Sequence, residues 1–318
     1  MAKKETDKQT DLHKTSQESC VVESKILSEE KQDHATRAPL FELLESELGR
    51  PVVSYFTGFG EPVGMDDADA DMLEDVLQKS DLTAGLALMI SSPGGDGLSA
   101  ERIVNLCRKY SGTGEYWSIV PGKAKSAATM VCLGSSKIIM GPTSELGPID
   151  PQIPQISSQT HQPRYYSAYY LLESYRTLFD EATKTTGHLE PFLQQLSNYD
   201  TRDVRDWQAS IDLSNDIAVR MLASGMLKGV DENAIKKKLS VFLTPERTKT
   251  HGRPIYSDEA VLCGLNVEIQ EPHGVLWHNV YELYMRSSHF VTIHVAKCIE
   301  SKNESFIMNS PRRGDHGD

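Results

Sequence analysis

Apolar and polar positions along residues 52–140 follow a pattern that predicts strands and helices in turn. Residues 52–56, 86–90 and 116–121 are short apolar runs with the length of buried strands. Residues 66–79 and 100–107 instead carry apolar positions at helical spacing, the first with an acidic first turn. This repeat predicts an α/β domain with a parallel sheet flanked by helices, in which ligand-binding turns lie at the carboxyl ends of the strands.

The pattern changes in the second half of the chain, where helical spacing dominates. Residues 165–239 are mostly of this kind, and residues 251–255 are typical of a turn. Further on, residues 275–284 have helical spacing, whereas residues 291–295 alternate as a strand does. A helical C-terminal part is therefore predicted.

Composition divides the chain into four parts. Residues 1–37 are polar and mixed in charge, which favours disorder. Residues 38–271 form the predicted α/β domain, residues 272–308 an appendage that packs on it or on a neighbouring subunit, and residues 309–318 a flexible tail.

Two apolar segments of helical spacing predict that the chain forms a homo-oligomer. Residues 40–48 and 277–284 carry more apolar surface than a peripheral appendage needs for its own solubility. A subunit interface would bury both segments and restrict access to the site. The alternative is that both fold back on their own domain.

A glycine turn follows the predicted strand at residues 86–90. Gly94 and Gly95 lie between this strand and the helix that follows it. Because glycine has no Cβ, it adopts unusual backbone angles and lets its N–H group approach a bound carbonyl oxygen closely. The turn has what an oxyanion hole requires.

The second strand-to-helix turn carries a serine. Ser126 lies at the start of a predicted helix of small residues, residues 126–133. Its hydroxyl would lie near free N–H groups and the positive end of the helix dipole, which stabilise developing negative charge. The simpler interpretation is an N-cap, for which serine is a favoured residue.

Four motifs in this order resemble those of the serine dehydrogenase proteinase family, relatives of signal peptide peptidase A within the Clp-peptidase and crotonase-like superfamily. They are SPGG at 92–95, AKSAAT at 124–129, KIIMG at 137–141 and SELGPIDPQ at 144–152. The resemblance implies a Clp-peptidase/crotonase-like parallel sheet, a ββα superhelix, flanked by helices.

By the same resemblance the chain is a serine endopeptidase that cleaves peptides or unfolded proteins through an acyl-enzyme, without a cofactor. It implies Ser126 as the nucleophile. It implies the amides of Gly94 and Gly95, with Ala127, as the oxyanion donors.

The general base is the open question, because a serine hydroxyl needs a positioned proton acceptor. Arg164 lies where lysine-using relatives have their base, and arginine stays protonated at working pH. Lys184 and His161 are the remaining candidates, with Asp150 as a partner that orients the histidine. Lys125 adjoins the nucleophile but is expected to point elsewhere.

Two other functions stay open. A crotonase-type acyl-CoA hydrolase or isomerase would also use paired amides, with Glu145 or Asp150 as the acid/base. A catalytically silent oligomeric module would explain the missing lysine.

Charge and composition limit the partners. The net charge of −12 argues against nucleic-acid binding, because phosphate neutralisation needs clustered Lys and Arg. No apolar run reaches the roughly 18 residues of a membrane span, and no signal peptide is evident, so a cytoplasmic protein is expected. The five cysteines include no Cys-x-x-Cys pair, which predicts reduced, buried thiols and no metal site.

Overall fold

The computed structural model describes residues 22, 26, 33–60, 63–156, 163–293 and 295–309. Within these residues the centre of the fold is a seven-stranded sheet. Its strands are β1 (Val52–Thr57), β2 (Leu86–Ser91), β3 (Tyr116–Val120), β5 (Lys137–Met140), β9 (Val267–Ile269), β10 (Lys297–Glu300) and β11 (Ser305–Met308). Their order is β11-β10-β1-β2-β3-β5-β9. The neighbours from β1 to β9 pair in parallel, whereas β10 pairs antiparallel with both β1 and β11.

Two small sheets lie outside the central one. Strand β4 (Lys123–Ala124) pairs in parallel with β6 (Glu145–Leu146). Strand β7 (Gln152–Ile156) pairs antiparallel with β8 (Pro163–Ser167). The first pair joins the segment before Ser126 to the segment before Asp150.

Helices cover both faces of the central sheet. They are α1 (Ala38–Leu48), α2 (Asp67–Gln78), α3 (Gly97–Tyr110), α4 (Ala127–Leu133), α5 (Ala168–Lys184), α6 (Glu190–Leu196), α7 (Thr201–Ala223), α8 (Glu232–Lys238), α9 (Ser240–Leu243), α10 (Pro245–Thr248), α11 (Ser257–Leu262) and α12 (Val275–Ile293). The predicted helix at residues 66–79 corresponds to α2, where Asp66 forms a capping box with Asp69.

The core has one layer on each face of the sheet. In β1, Val53 and Tyr55 pack with α2, α3, α4 and α7, whereas Val52 and Phe56 pack with α1 and α12. Because both faces are covered, β1, β2 and β3 are buried at nearly every position, which agrees with their largely apolar sequences. The predicted α/β architecture and its helical C-terminal part are confirmed.

The C-terminal part differs from its prediction in two ways. Residues 291–295 were expected to form a strand, but α12 runs through residue 293 and the strand β10 follows it. This expectation is wrong because Val280, Leu283 and Val291 lie at helical spacing and pack together on α1 and β1. Strand β10 then joins β1, so residues 272–308 complete the central sheet instead of forming an appendage.

The two apolar segments that suggested an oligomer are buried within the chain. Phe41 and Leu44 of α1 and Val280 and Leu283 of α12 are all fully buried and pack in one cluster. These residues cover one face of their own sheet, so their burial needs no partner subunit. The homo-oligomer itself stays a prediction without that support.

Of residues 1–37, for which disorder was predicted, the structure describes residues 22, 26 and 33–37. Residues His34–Thr36 form a turn of 3₁₀ helix, and Arg37 is fully buried against Glu300 of β10. Arg37 thus links residues 33–37 to the C-terminal hairpin, which consists of strands β10 and β11.

The prediction of buried thiols is confirmed for the described residues. Cys107, Cys132, Cys263 and Cys298 are buried free thiols, whereas Cys20 lies outside the described residues. Burial raises the pKa of Cys107 and of Cys132 to about 12, so neither is a reactive thiolate.

Candidate active site

Ser126 lies on a sharp turn between β4 and α4. Its backbone angles are φ 51° and ψ −121°, which a residue with a side chain rarely adopts. Its side chain does not cap the helix and has no hydrogen-bond partner among the described residues. A strained serine between a strand and a helix presents its hydroxyl outwards, as nucleophiles of hydrolases do. The N-cap interpretation therefore does not hold.

Backbone hydrogen bonds hold this turn against its neighbours. Ser92 donates its N–H to the Lys123 carbonyl at 3.1 Å and accepts from the Lys125 N–H at 3.0 Å. On the other side, Gly147 donates its N–H to Thr129 Oγ1 at 2.9 Å. Three of the four sequence motifs thus meet at the serine.

Lys125 points away from the serine, as predicted. Its ammonium donates to Glu145 Oε2 at 2.5 Å and to the Leu146 carbonyl at 3.1 Å. Burial lowers the pKa of Lys125, although its bond to Glu145 opposes that shift. Because Glu145 is committed to this ion pair and does not line the cavity beside Ser126, it is poorly placed as an acid/base.

The glycine turn packs directly on the serine and on the segment before α2. Gly94 has φ 95°, and a Cβ on it would lie 2.7 Å from Ser126 Cβ. A Cβ on Gly95 would lie 2.3 Å from both the N and the O of Met65. Met65 holds the turn on both sides, donating to the Gly94 carbonyl at 2.7 Å and accepting from the Asp96 N–H at 2.9 Å. No residue with a side chain fits either glycine position without moving the backbone.

The amides of this region are not all free. Gly94 donates its N–H to Ser92 Oγ at 3.1 Å, so this amide is used inside the turn. The N–H groups of Gly95 and Ala127 have no acceptor among the described residues. Gly95 and Ala127 therefore carry the free donors beside Ser126. The structure does not support Gly94 as a donor.

A histidine pairs with Asp150 in the same cavity. The ring Nδ1 of His251 lies 2.7 Å from Asp150 Oδ1, and the side chain of Asp150 is 3% exposed. Gln152 donates its amide to Asp150 Oδ2 at 2.8 Å. A carboxylate at Nδ1 favours the tautomer with the proton there, which leaves the Nε2 lone pair free to accept a proton.

A short pairing between loops brings His251 to the site. Leu146 of β6 and Ile255 exchange both backbone hydrogen bonds, at 2.9 and 3.0 Å. Because β6 pairs with β4, the turn at residues 251–255 is anchored to the segment that carries Ser126.

In the described part of the chain, neither of the other two candidate bases lies beside Ser126. Lys184 is at the end of α5 with its side chain 78% exposed, 3.9 Å from Asp180, and it does not line the cavity. His161 lies outside the described residues.

Sequence reasoning assigned the turn at residues 251–255 correctly but missed His251 as a site residue. The histidine follows Ser126 by 125 positions, far beyond the spacing expected for a base. The only signal in the sequence was a histidine in a turn, a feature too common to single it out.

The cavity at Ser126 has a volume of about 790 Å³ and one strongly apolar wall. Ser126, Gly95, Ala127, Asp150 and His251 all line it. The apolar wall comes from helices α3, α4 and α7 and consists of Leu98, Met130, Leu213 and Ile217.

Comparison with known families agrees with this geometry. Residues 63–166 match the family model described as ClpP-like SDH-type serine proteinase. The resemblance to the serine dehydrogenase proteinases is confirmed. The matched residues include both turns and Asp150, whereas His251 lies beyond them.

Two proteins similar to this chain come from Methanocaldococcus jannaschii. Uncharacterized protein MJ0137 is 29% identical over 198 residues, which is 62% of this chain and 57% of that protein. Uncharacterized protein MJ1495 is 25% identical over 150 residues, which is 47% of this chain and 48% of that protein. The chain thus spans about half the length of these curated relatives.

Similar solved structures include the 1510-N membrane-bound stomatin-specific protease. A serine-to-alanine mutant is 17% identical, with 66% of this chain and 93% of that chain covered and a TM-score of 0.27. A lysine-to-alanine mutant in complex with a substrate peptide is 14% identical, with 70% and 93% covered and a TM-score of 0.27. Of the helices described in the present chain, none is long and apolar enough to cross a membrane.

Proposed function

We propose that this protein is a serine peptidase in which Ser126, His251 and Asp150 act as a catalytic triad. The observation that carries the proposal is their convergence. One cavity contains a strained serine without a hydrogen-bond partner among the described residues, two free amides beside it, and a histidine oriented by a buried carboxylate.

In this mechanism His251 Nε2 takes the proton of the Ser126 hydroxyl while Oγ attacks the carbonyl carbon of the substrate. The N–H groups of Gly95 and Ala127 stabilise the negative charge that develops on the carbonyl oxygen. His251 then returns the proton to the leaving amine, which leaves an acyl group on Ser126. A water molecule, deprotonated by the same nitrogen, hydrolyses that ester.

Asp150 contributes by orientation and charge. Its carboxylate holds the His251 ring through Nδ1 and stabilises the positive charge that the ring acquires during each proton transfer. Because Asp150 is buried and also accepts from Gln152, its position is set before substrate binds.

The shape of the site favours extended peptides over folded proteins as substrates. The reacting groups lie inside a cavity, and a backbone carbonyl must reach the Gly95 and Ala127 amides. The alternative acyl-CoA chemistry has less support, because Glu145 is held by Lys125 and Asp150 is engaged by His251 and Gln152. We retain peptides or unfolded proteins as the proposed substrate class.

An active-site probe tests the proposal. A fluorophosphonate should label Ser126, and Ser126→Ala should abolish both labelling and peptide cleavage, because no other hydroxyl occupies that turn. Loss of the nucleophile typically costs about 10⁶-fold in turnover. Mass spectrometry of the labelled protein identifies the modified residue.

Ser210→Ala provides the matched control. Ser210 also lines the cavity, but its hydroxyl donates to the Asp206 carbonyl at 2.8 Å on α7. We expect this variant to be labelled as the wild type is. Labelling that persists in Ser126→Ala, or a wild-type protein that neither reacts nor cleaves, contradicts the proposal.

A further inference from the structure

A buried ionic cluster lies behind the glycine turn, outside the groups assigned to catalysis. Lys297 of β10 and Asp69 of α2 are both fully buried, and their side chains are 2.9 Å apart. Lys297 also contacts Asp66 Oδ2 at 2.8 Å. Tyr55 of β1 completes the cluster and is 1% exposed.

One carboxylate oxygen collects most of the hydrogen bonds of this cluster. Asp69 Oδ2 accepts from Tyr55 Oη at 2.9 Å, from the Asp66 N–H at 2.8 Å and from Lys297 Nζ at 2.9 Å. Burial raises the pKa of Asp69, whereas Lys297 and the other donors lower it. Burial also raises the pKa of Tyr55, so its hydroxyl stays a donor.

The cluster is connected to the oxyanion turn through two consecutive residues. Asp66 is fixed by Asp69, and Met65 before it holds the glycine turn. Met65 donates to the Gly94 carbonyl, accepts from the Asp96 N–H and pairs in parallel with Gly95. Moving Asp66 therefore moves the peptide groups on both sides of the Gly95 N–H.

We propose that Lys297, Asp69 and Tyr55 are positioning residues for the oxyanion hole. They hold residues 65–66 in place, and these in turn hold the Gly95 N–H towards the substrate carbonyl. This role rests on the proposed function, since it concerns the same amide. It also assigns a part in the active site to the C-terminal hairpin, which lies outside the residues that match the family model.

The cost of burying the cluster supports a positioning role. Replacing a buried ion pair by apolar residues often leaves a protein as stable or more stable. Stability alone therefore does not explain why a buried ion pair is present. Hydrogen bonds to a fixed carboxylate are directional, whereas apolar contacts let a loop shift by fractions of an ångström. Oxyanion stabilisation depends on such shifts.

Two variants test the proposal, each with a matched control. Lys297→Met removes the buried cation of the cluster, and Arg37→Met removes the buried cation that pairs with Glu300 at the other end of β10. Tyr55→Phe removes one hydrogen bond to Asp69. Tyr116→Phe is its control, because that buried hydroxyl donates to the Val131 carbonyl instead.

The expected result separates chemistry from binding. In Lys297→Met and Tyr55→Phe, kcat should fall about tenfold or more with KM unchanged, because only the transition state needs the exact amide position. A peptide boronate, which resembles the tetrahedral intermediate, should bind more weakly by a similar factor. The two control variants should keep kcat even where their melting temperatures fall as much.

Hydrogen exchange gives a readout that does not need activity. The amides of residues 92–97 should exchange faster in Lys297→Met and Tyr55→Phe than in the controls. If the wild type proves inactive but this difference appears, the proposed function fails and the positioning of the turn stands. The positioning role is overturned if hydrogen exchange is unchanged, or if the controls show the same fall in kcat. If Lys297→Met does not fold, Tyr55→Phe alone tests the proposal.

Discussion

The two halves of the candidate active site are built in different ways. The nucleophile half, the turns at residues 92–95 and 123–127, lies at the ends of neighbouring parallel strands and is joined by backbone hydrogen bonds. The base half, Asp150 and His251, comes from loops outside the central sheet and joins residues 101 positions apart. One side-chain hydrogen bond joins the two residues directly, and the backbone hydrogen bonds between Leu146 and Ile255 hold their segments together.

This difference shows where precision is set by the backbone and where it is set by a side chain. At Ser126 and Gly95 the backbone angles themselves place the reacting groups, and no side chain fits the positions of Gly94 and Gly95. At His251 the ring is 26% exposed and its direction depends on Asp150. The nucleophile half should therefore tolerate almost no substitution near it, whereas the base half should fail only when its two side chains change.

The largest effect is expected from breaking the base half. His251→Ala should reduce turnover by about 10⁶-fold, as loss of a triad histidine does, because Ser126 loses its proton acceptor. The fold should be unchanged, since the ring is partly exposed. Peptide cleavage and circular dichroism together measure this.

Lys184→Ala is the matched control for the base. Lys184 is exposed, so its removal should leave turnover unchanged. Activity that survives His251→Ala but disappears with Lys184→Ala or His161→Ala would assign the base to one of the two residues that the sequence suggested.

A smaller effect is expected from breaking the glycine turn of the nucleophile half. Gly95→Val should lower turnover by about a hundredfold to a thousandfold, the usual cost of losing an oxyanion donor. The physical reason is steric, because the new Cβ would meet Met65 and displace the amide. Turnover is measured on protein shown to be folded.

Gly114→Val separates this effect from backbone strain. Gly114 has φ 72°, and a Cβ on it would meet no described atom within 4 Å, so the substitution strains the chain without a clash. A folded Gly95→Val protein with the turnover of Gly114→Val would mean that Gly95 is not part of the oxyanion hole.

The smallest effect on activity is expected at Glu300, which belongs to neither half. Burial raises the pKa of Glu300, but the hydrogen bonds and charge of Arg37 more than offset this, and the net pKa is lowered. A carboxyl group whose pKa is lower in the folded than in the unfolded protein stabilises the fold at pH values above its unfolded pKa. This stabilisation is lost as the pH falls through the folded pKa. The wild type should therefore lose stability on acidification below the ordinary glutamate range.

Glu300→Gln should show a shallower loss over the same acidic range. At neutral pH it should be less stable by about 3 kcal/mol, because the buried ion pair with Arg37 loses its carboxylate. Denaturant unfolding at several pH values measures both. If Glu300→Gln loses stability with acid as steeply as the wild type, this pair does not contribute to the pH dependence of stability. Turnover per folded molecule should match the wild type.

The sequence alone determined the parts of this protein that depend on neighbours along the chain. The apolar runs predicted the strands β1, β2 and β3, because strands buried on both faces have little choice of residue. The glycine turn was identifiable because it needs backbone angles that few residues allow, whereas the role of Ser126 was implied by the resemblance of its motif to a known family. These elements lie within the residues that match the family model or directly beside them.

Only the tertiary structure decided the groups that depend on distant parts of the chain. The Gly94 amide could not be excluded from the oxyanion hole until its bond to Ser92 was seen. His251 could not be chosen among the histidines until Leu146 and Ile255 paired and brought it to Asp150. Hydrogen bonds across more than a hundred positions leave no periodic trace in a sequence, because they need only one suitable residue at each end.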